Sequence, residues 1–189
     1  MSECVDEQQT RHYLGRWHGF GVVRDNEYVL YAVFGNTDRA GKRLTQNSFT
    51  RNLNNTSQSL GRASVLTREV FDLNIAHGAI AEIASAHVSA IRSIRADVPE
   101  NKGTKNVRAV CVIDQVEAGD CDAHATMGLS EAIGPGLSEK NLAKLRARIR
   151  LDLANAFSEI IPLENHHWPR AWQVFAKRIG SIAKVAFGL

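Results

Sequence analysis

Tyr28–Arg43 reads YVLYAVFGNTDRAGKR: an aliphatic and aromatic run that breaks into glycine, polar and cationic residues. The first part, to Phe34, has the composition of a buried strand. The second part can hold an anion. Gly35 lets backbone approach a phosphate without a Cβ in the way, Asn36 and Thr37 add polar groups, and Arg39, Lys42 and Arg43 supply positive charge. An ordinary solvated turn is the competing reading, so the surrounding sequence has to decide between them.

Upstream, Gly15–Arg24 is a second aromatic and β-branched segment, separated from Glu27–Phe34 by Asp25-Asn26, a pair suited to a tight turn. The two segments are expected to form a hairpin. Downstream, Asn36–Arg62 is rich in Asn, Thr, Ser, Gln, Gly and Arg and reads as a long loop with at most a short helix. Apolar spacing then predicts a helix over about Thr67–Arg95, with Ile80, Ile83, His87, Ile91 and Ile94 on one stripe, closed by Pro99 and the polar residues after it. Val107–Val116, VRAVCVIDQV, is a third strand, apolar enough to sit in the middle of a sheet.

Gly134-Pro135-Gly136 breaks the chain, and Ser138 is placed to cap a helix running to about Ile161, where Pro162 stops it. Leu142, Leu145, Ile149, Leu153, Ala156 and Ile160 are its apolar stripe, while Lys140, Lys144 and Arg148 share another face. Pro169 opens a last helix with Trp172, Phe175, Ile179, Ile182 and Ala186 expected to face inward. The fold class that follows is α/β (α+β): a small mixed sheet with packed helices over residues 1–133, and a basic helical pair over 134–189 packed on that body.

The chain has 189 residues, 44% hydrophobic and 23% charged, as expected of a globular protein with its own core. It contains no apolar run of membrane-spanning length, and its opening MSECVDEQQTR is acidic and polar, unlike a signal peptide, so a cytoplasmic location is expected. Cys4, Cys111 and Cys121 are odd in number and lack CxxC spacing. Free thiols are expected, with Cys111 buried in a strand.

Net charge is only +3, but it is segregated: residues 38–68 hold six basic residues against one acid, and residues 138–189 nine against four. Such blocks form a positive face that attracts polyanions more readily than an even scatter would. Solvated helix surfaces are the plainer alternative.

The motif Phe34-Gly35-Asn36-Thr37-Asp38-Arg39 resembles the phosphate-binding motif of the ParB/sulfiredoxin superfamily, in which a strand ends in glycine followed by polar and arginine residues. Sulfiredoxins carry FGGCHR there; Phe34, Gly35 and Arg39 match, and Thr37 stands in the cysteine's place. A hydroxyl cannot replace a thiolate as redox nucleophile, so sulfinic acid reduction is not expected. In size, basic pattern and this loop, the chain is also similar to the plasmid fertility-inhibition factors of oncogenic-suppression type. The resemblance implies an ATP-binding and ATP-hydrolysing, metal-dependent DNase that acts on DNA and blocks transfer through a conjugative or type IV secretion apparatus. Gly35, Asn36, Thr37, Arg39, Lys42 and Arg43 would then bind the nucleotide, and Gly61-Arg62 is a rival for the same role.

Phosphodiester cleavage also needs groups that orient water and hold added negative charge, commonly carboxylates with Mg²⁺ or Mn²⁺. Glu100, near Asp97 and Lys102, is one candidate and joins Arg62 as an expected catalytic residue. Asp120 and Asp122, with Glu117 and His124, are the expected metal site. Solvated acidic loops are the plainer reading of both groups. Lys140, Lys144, Arg148, Arg170 and Lys177 are the expected DNA contacts. His166-His167 reads as helix entry, since adjacent side chains diverge, and Trp168 is the aromatic expected at the surface. The main alternative is a non-catalytic DNA-binding or partner-binding regulator using the same cations.

Overall fold

The structure, a computed structural model, describes residues 4, 12–13, 16–17, 22–34, 37–49, 58–68, 71, 82–100, 103–114 and 123–177. It is an α+β fold. The elements are β1 (His12–Tyr13), β2 (Arg16–Trp17), β3 (Tyr28–Val33), β4 (Arg39–Ala40), β5 (Arg43–Leu44), a 3₁₀ turn (Gln46–Phe49), β6 (Gln58–Arg62), β7 (Glu82–His87) and α1 (Val88–Arg92). There follow β8 (Arg95–Glu100), β9 (Gly103–Arg108), β10 (Val110–Asp114), β11 (His124–Leu129), α2 (Glu139–Ala156), β12 (Ile161–Pro162) and a second 3₁₀ turn (Leu163–Asn165). No helix among the described residues is long and apolar enough to cross a membrane.

Six strands form the central sheet in the order β10-β11-β6-β3-β7-β12, and every pairing is antiparallel, where a mixed sheet was expected. β3 lies near the centre, with Tyr31 opposite Ala84 of β7 and Val29 opposite Arg62 of β6. Because side chains alternate along a strand, Val29, Tyr31 and Val33 enter one core while Leu30 enters another. The larger core collects Leu60, Val112 and Met127 from the sheet with Ile149, Leu153 and Phe157 from α2 and its exit. Tyr31, Phe49 and Phe157 meet there with ring centroids 5.4 to 5.9 Å apart. The smaller core, on the opposite face, packs Leu30 and Ile83 against Leu66, Phe71 and Leu163.

Gly61 explains itself in this packing. A Cβ there would run into Leu66 Cδ2, so the glycine leaves room for that side chain as the 62–66 turn closes onto the sheet.

Several sequence expectations are corrected. The turn at Asp25-Asn26 exists, with Glu27 N–H bonded to Arg24 O at 3.1 Å. Among the described residues no upstream strand pairs with β3, however: Arg16–Trp17 pairs with His12–Tyr13, and β3 is flanked by β6 and β7. The expected long loop contains the β4–β5 hairpin and the central strand β6. In the expected helix over 67–95, Arg68 and Phe71 are helical, but residues 82–87 are a sheet strand followed by the short α1 (Val88–Arg92); residues 69–70 and 72–81, with Ile80 of the expected stripe, lie outside the described residues. Val110–Asp114 is a strand as expected, but it lies at the sheet edge, its apolar character used by α1, which packs on it. Cys111 is buried in that strand, yet it is not a free thiol: it forms a disulfide with Cys4.

Ser138 caps α2 as expected, its Oγ accepting from Asn141 N–H at 3.4 Å. The helix ends at Ala156, earlier than expected, because Phe157 turns extended and bridges to Ala86 of β7. Of the expected 134–189 unit, α2 and β12 join the same core and sheet as the residues before them, while residues 178–189, with Ile179, Ile182 and Ala186, lie outside the described residues. Residues 171–177 are helical, but Trp172 and Phe175 point outward, while Trp168 is half-buried against Phe71 and donates its indole N–H to Leu163 O at 3.1 Å.

Candidate nucleic-acid interface

The residues after β3 are organised by their own polar groups. Thr37 N–H donates to Phe34 O, and Phe34 N–H donates to Thr37 Oγ1, both at 2.9 Å. The Thr37 hydroxyl thus closes a turn. Gly35 and Asn36 lie outside the described residues. The chain then makes the β4–β5 hairpin, with Ala40 opposite Arg43 and Gly41 at φ +60°, the first position of a two-residue turn where glycine is favoured. Leu44 is buried and anchors the hairpin, while Arg39, Lys42 and Arg43 are exposed.

Three hydrogen bonds fix where those cations stand. Ile160 N–H donates to Lys42 O at 2.7 Å, fastening the hairpin beside the exit from α2. Ser48 Oγ donates to Asp38 O, and Tyr31 OH donates to Ser48 O at 3.0 Å. Burial pushes the Tyr31 phenol up to about 12, so it stays a neutral donor. Of the three cations, Arg39 is ion-paired with Glu82 at the start of β7.

α2 packs against both β5 and the Gln46–Phe49 turn. Its inner side carries Ile149 and Leu153; Lys140, Lys144 and Arg148 are exposed. Two basic blocks about a hundred residues apart in sequence therefore sit on neighbouring elements.

The expected catalytic residues do not join them. Arg62 is buried at 3% exposure, with Nε and Nη2 donating to the Glu27 carboxylate at 3.0 and 2.8 Å and Nη1 to Asp114 Oδ1 at 3.1 Å. It ties β6 to the approach to β3 and to the end of β10. Asp25 and Arg92 form a similar link nearby: Arg92 donates to Asp25 Oδ1 at 2.7 Å and to Val112 O at 3.0 Å. Its hydrogen bond holds the Asp25 carboxyl below the usual carboxylate range.

Glu100 is not at a helix end but at the exposed tip of the β8–β9 hairpin, opposite Gly103. Adjacent Pro99 lies beside Gly136, on the approach to α2. Lys42 meets the chain beyond the other end of that helix. Eighteen residues at 1.5 Å each make α2 about 27 Å long, so Glu100 and the hairpin cations are not brought together.

Asp120 and Asp122 lie outside the described residues, as does Glu117, and His124 is hydrogen-bonded to Ser59 across β6 and β11. Among the described residues no cluster of three or more His, Cys, Asp or Glu could hold a metal ion. Arg170 and Lys177 are exposed, Lys177 donating to Ser64 O at 2.9 Å.

Sequence reasoning missed Glu27, Glu82 and Asp114, the carboxylates that engage its chosen arginines. Only the register of β3, β6, β7 and β10 makes them neighbours, and no local motif carries that information. Compared with known proteins, the chain matches no family model, no curated protein and no solved structure.

Proposed function

We propose that the chain acts on DNA for a mobile element, holding the phosphate backbone along the face made by the β4–β5 hairpin and α2. One observation carries this reading: Lys42 and Arg43 share a packed neighbourhood with the helix that exposes Lys140, Lys144 and Arg148. A row of cations on rigid elements suits a polyanion, because neutralised phosphates release counterions. The likeness of Phe34–Arg39 to the ParB/sulfiredoxin loop adds the enzymatic part: ATP bound beside the hairpin, a divalent metal, DNA cleavage, and fertility inhibition against a conjugative or type IV secretion apparatus. The polyanion face is the part that the geometry supports directly.

A second reading, a non-catalytic DNA-binding regulator, is favoured by the burial of Arg62 and by the separation of Glu100 from the hairpin. Purified protein incubated with ATP, Mg²⁺ and linear or single-stranded DNA separates the two. Nucleotide-dependent cleavage, lost in K42A/R43A, is the expected result for the enzyme. DNA retention with a steep salt dependence and no cleavage identifies the regulator. Absence of DNA retention at low salt overturns both.

A further inference from the structure

Arg62 and Arg92 are drawn in from the surface, and each donates to a carboxylate. Arg146 of α2 is drawn in differently. Its side chain is half-buried, its Nε is shielded from solvent, and that Nε meets no hydrogen-bond acceptor among the described residues. A shielded donor left without an acceptor weakens a fold, the more so on a charged group, so packing alone gives no reason for arginine at this position. The same side of the helix carries Arg150, four residues on, with half-buried Leu142 and buried Ile149 and Leu153. Lys140, Lys144 and Arg148 are exposed instead. The helix holds two acids, Glu139 and Asp152, and neither is three or four residues from Arg146 or Arg150, so neither is a helical neighbour of the pair.

We propose that Arg146, with the charge of Arg150 beside it, binds a phosphate monoester. A guanidinium fork matches phosphate oxygens two at a time. A monoester presents three free oxygens and close to two negative charges at neutral pH, where a diester has fewer oxygens and a single charge. The charge of Arg150 therefore favours the monoester over a diester or a carboxylate. So does the half-buried position: a terminal group can enter it, whereas the backbone of a duplex meets the exposed lysines first. The site stands apart from the DNA reading above. A free phosphorylated small molecule and the 5′-phosphate of a DNA end are the two sources of such a group.

The test follows urea unfolding of wild type, R146M and K105M by circular dichroism, without ligand and with inorganic phosphate, thymidine 5′-monophosphate or the singly charged diester thymidine 3′,5′-cyclic monophosphate. K105M removes the same charge from an exposed strand residue and controls for general salt effects. Without ligand, R146M is expected to unfold at the wild-type midpoint or above it, because an unpaired donor has left the interior. A ligand that binds only the native state raises the midpoint. Phosphate and the monoester should therefore raise it in wild type and K105M, the diester much less, and R146M should lose the rise. Calorimetric titration with the monoester should give an affinity about tenfold or more weaker in R146M. If R146M does not fold, R146Q replaces it with the same loss expected. A 5′-phosphorylated oligothymidylate that binds more tightly than its 5′-hydroxyl form, with the difference lost in R146M, supports the site with a DNA end as its source. Equal binding of the two forms, with the monoester effect intact, supports it with a small molecule as its source. No rise in wild type, an equal rise in R146M, or an equal rise with monoester and diester overturns the proposal. DNA retention by wild type in any of those cases leaves the DNA reading standing and removes only this site.

Discussion

Replacing Arg62 with methionine keeps an unbranched apolar stem and removes the guanidinium from between Glu27 and Asp114. Those carboxylates are 12% and 1% exposed in their side chains, and Arg62 donates to both. The variant leaves two acids facing each other where water cannot readily compensate. Breaking a buried pair by removing one partner costs about 3–5 kcal/mol, against a total stability of roughly 5–15 kcal/mol for a domain. With a urea m-value of about 2–3 kcal/mol/M, the midpoint should fall by roughly 1–2.5 M. The decisive comparison is R62M/D114L. It removes the more deeply buried carboxylate together with the arginine, so most of the loss should be recovered, because apolar replacements of buried ionic triads are often neutral. Urea unfolding followed by tryptophan emission and circular dichroism measures both variants. A loss below about 1 kcal/mol in R62M, or no recovery in R62M/D114L, refutes the structural role of the triad. The double variant also separates fold from chemistry: a folded R62M/D114L that binds and processes DNA normally removes Arg62 from the catalytic residues.

Native protein should show only one reactive thiol, that of Cys121, and three after reduction; C4S should unfold more easily than wild type by up to about 4–5 kcal/mol from the loss of a cross-link spanning 107 residues, and equal stability of the two would argue against the bond. Burial, and then the charge of His167, hold the His166 imidazole below its ordinary value of 6.5. The unfolded chain therefore takes up the proton first. His166's contribution is complete above pH 6.5 and is lost as pH falls through the lower folded value, so the urea midpoint of H166Q should fall less than that of wild type between pH 7.5 and 5, and parallel profiles would refute the assignment.

The legible parts of the fold were those specified locally. Tyr28–Val33 announced itself by composition, and Gly134–Ser138 by a break followed by a cap. β7 has a helix-like sequence, because Glu82–His87 is rich in alanine and its residues are buried or half-buried on both sides, so it lacks the alternation that marks a half-exposed strand. β6 was hidden for the opposite reason. QSLGR carries one large apolar residue, and its central place depends on the Leu66 contact over Gly61 and on the long-range ion pairs of Arg62. The same distinction governs the candidate site. Sequence picks out cations correctly but cannot say which are already paired, so Arg39, Lys42, Arg43 and Arg62 looked equivalent. Trp168 and Trp172 exchanged their expected roles because stripe geometry fixes which residues share a face and leaves open which face meets the core.

That difference among the arginines yields a prediction of opposite sign to the usual loss. Arg39 and Glu82 are 40% and 33% exposed, and their ion pair joins the hairpin to the start of β7. At such exposure the pair contributes only about 0–1 kcal/mol to stability, because water and salt screen it. For a polyanion arriving at Lys42 and Arg43, however, Glu82 is the carboxylate that occupies the third cation. A phosphate can take Arg39 only by displacing Glu82, and until then it meets a nearby negative charge. E82Q should therefore leave the urea midpoint almost unchanged while raising DNA affinity several-fold at low salt, with the gain shrinking as salt screens it. R39A should lower affinity less than K42A/R43A, since Arg39 is partly neutralised already. If E82Q binds DNA no more tightly than wild type while K42A/R43A binds it normally, the polyanion does not lie on this hairpin, and the basic face must be sought elsewhere on the molecule.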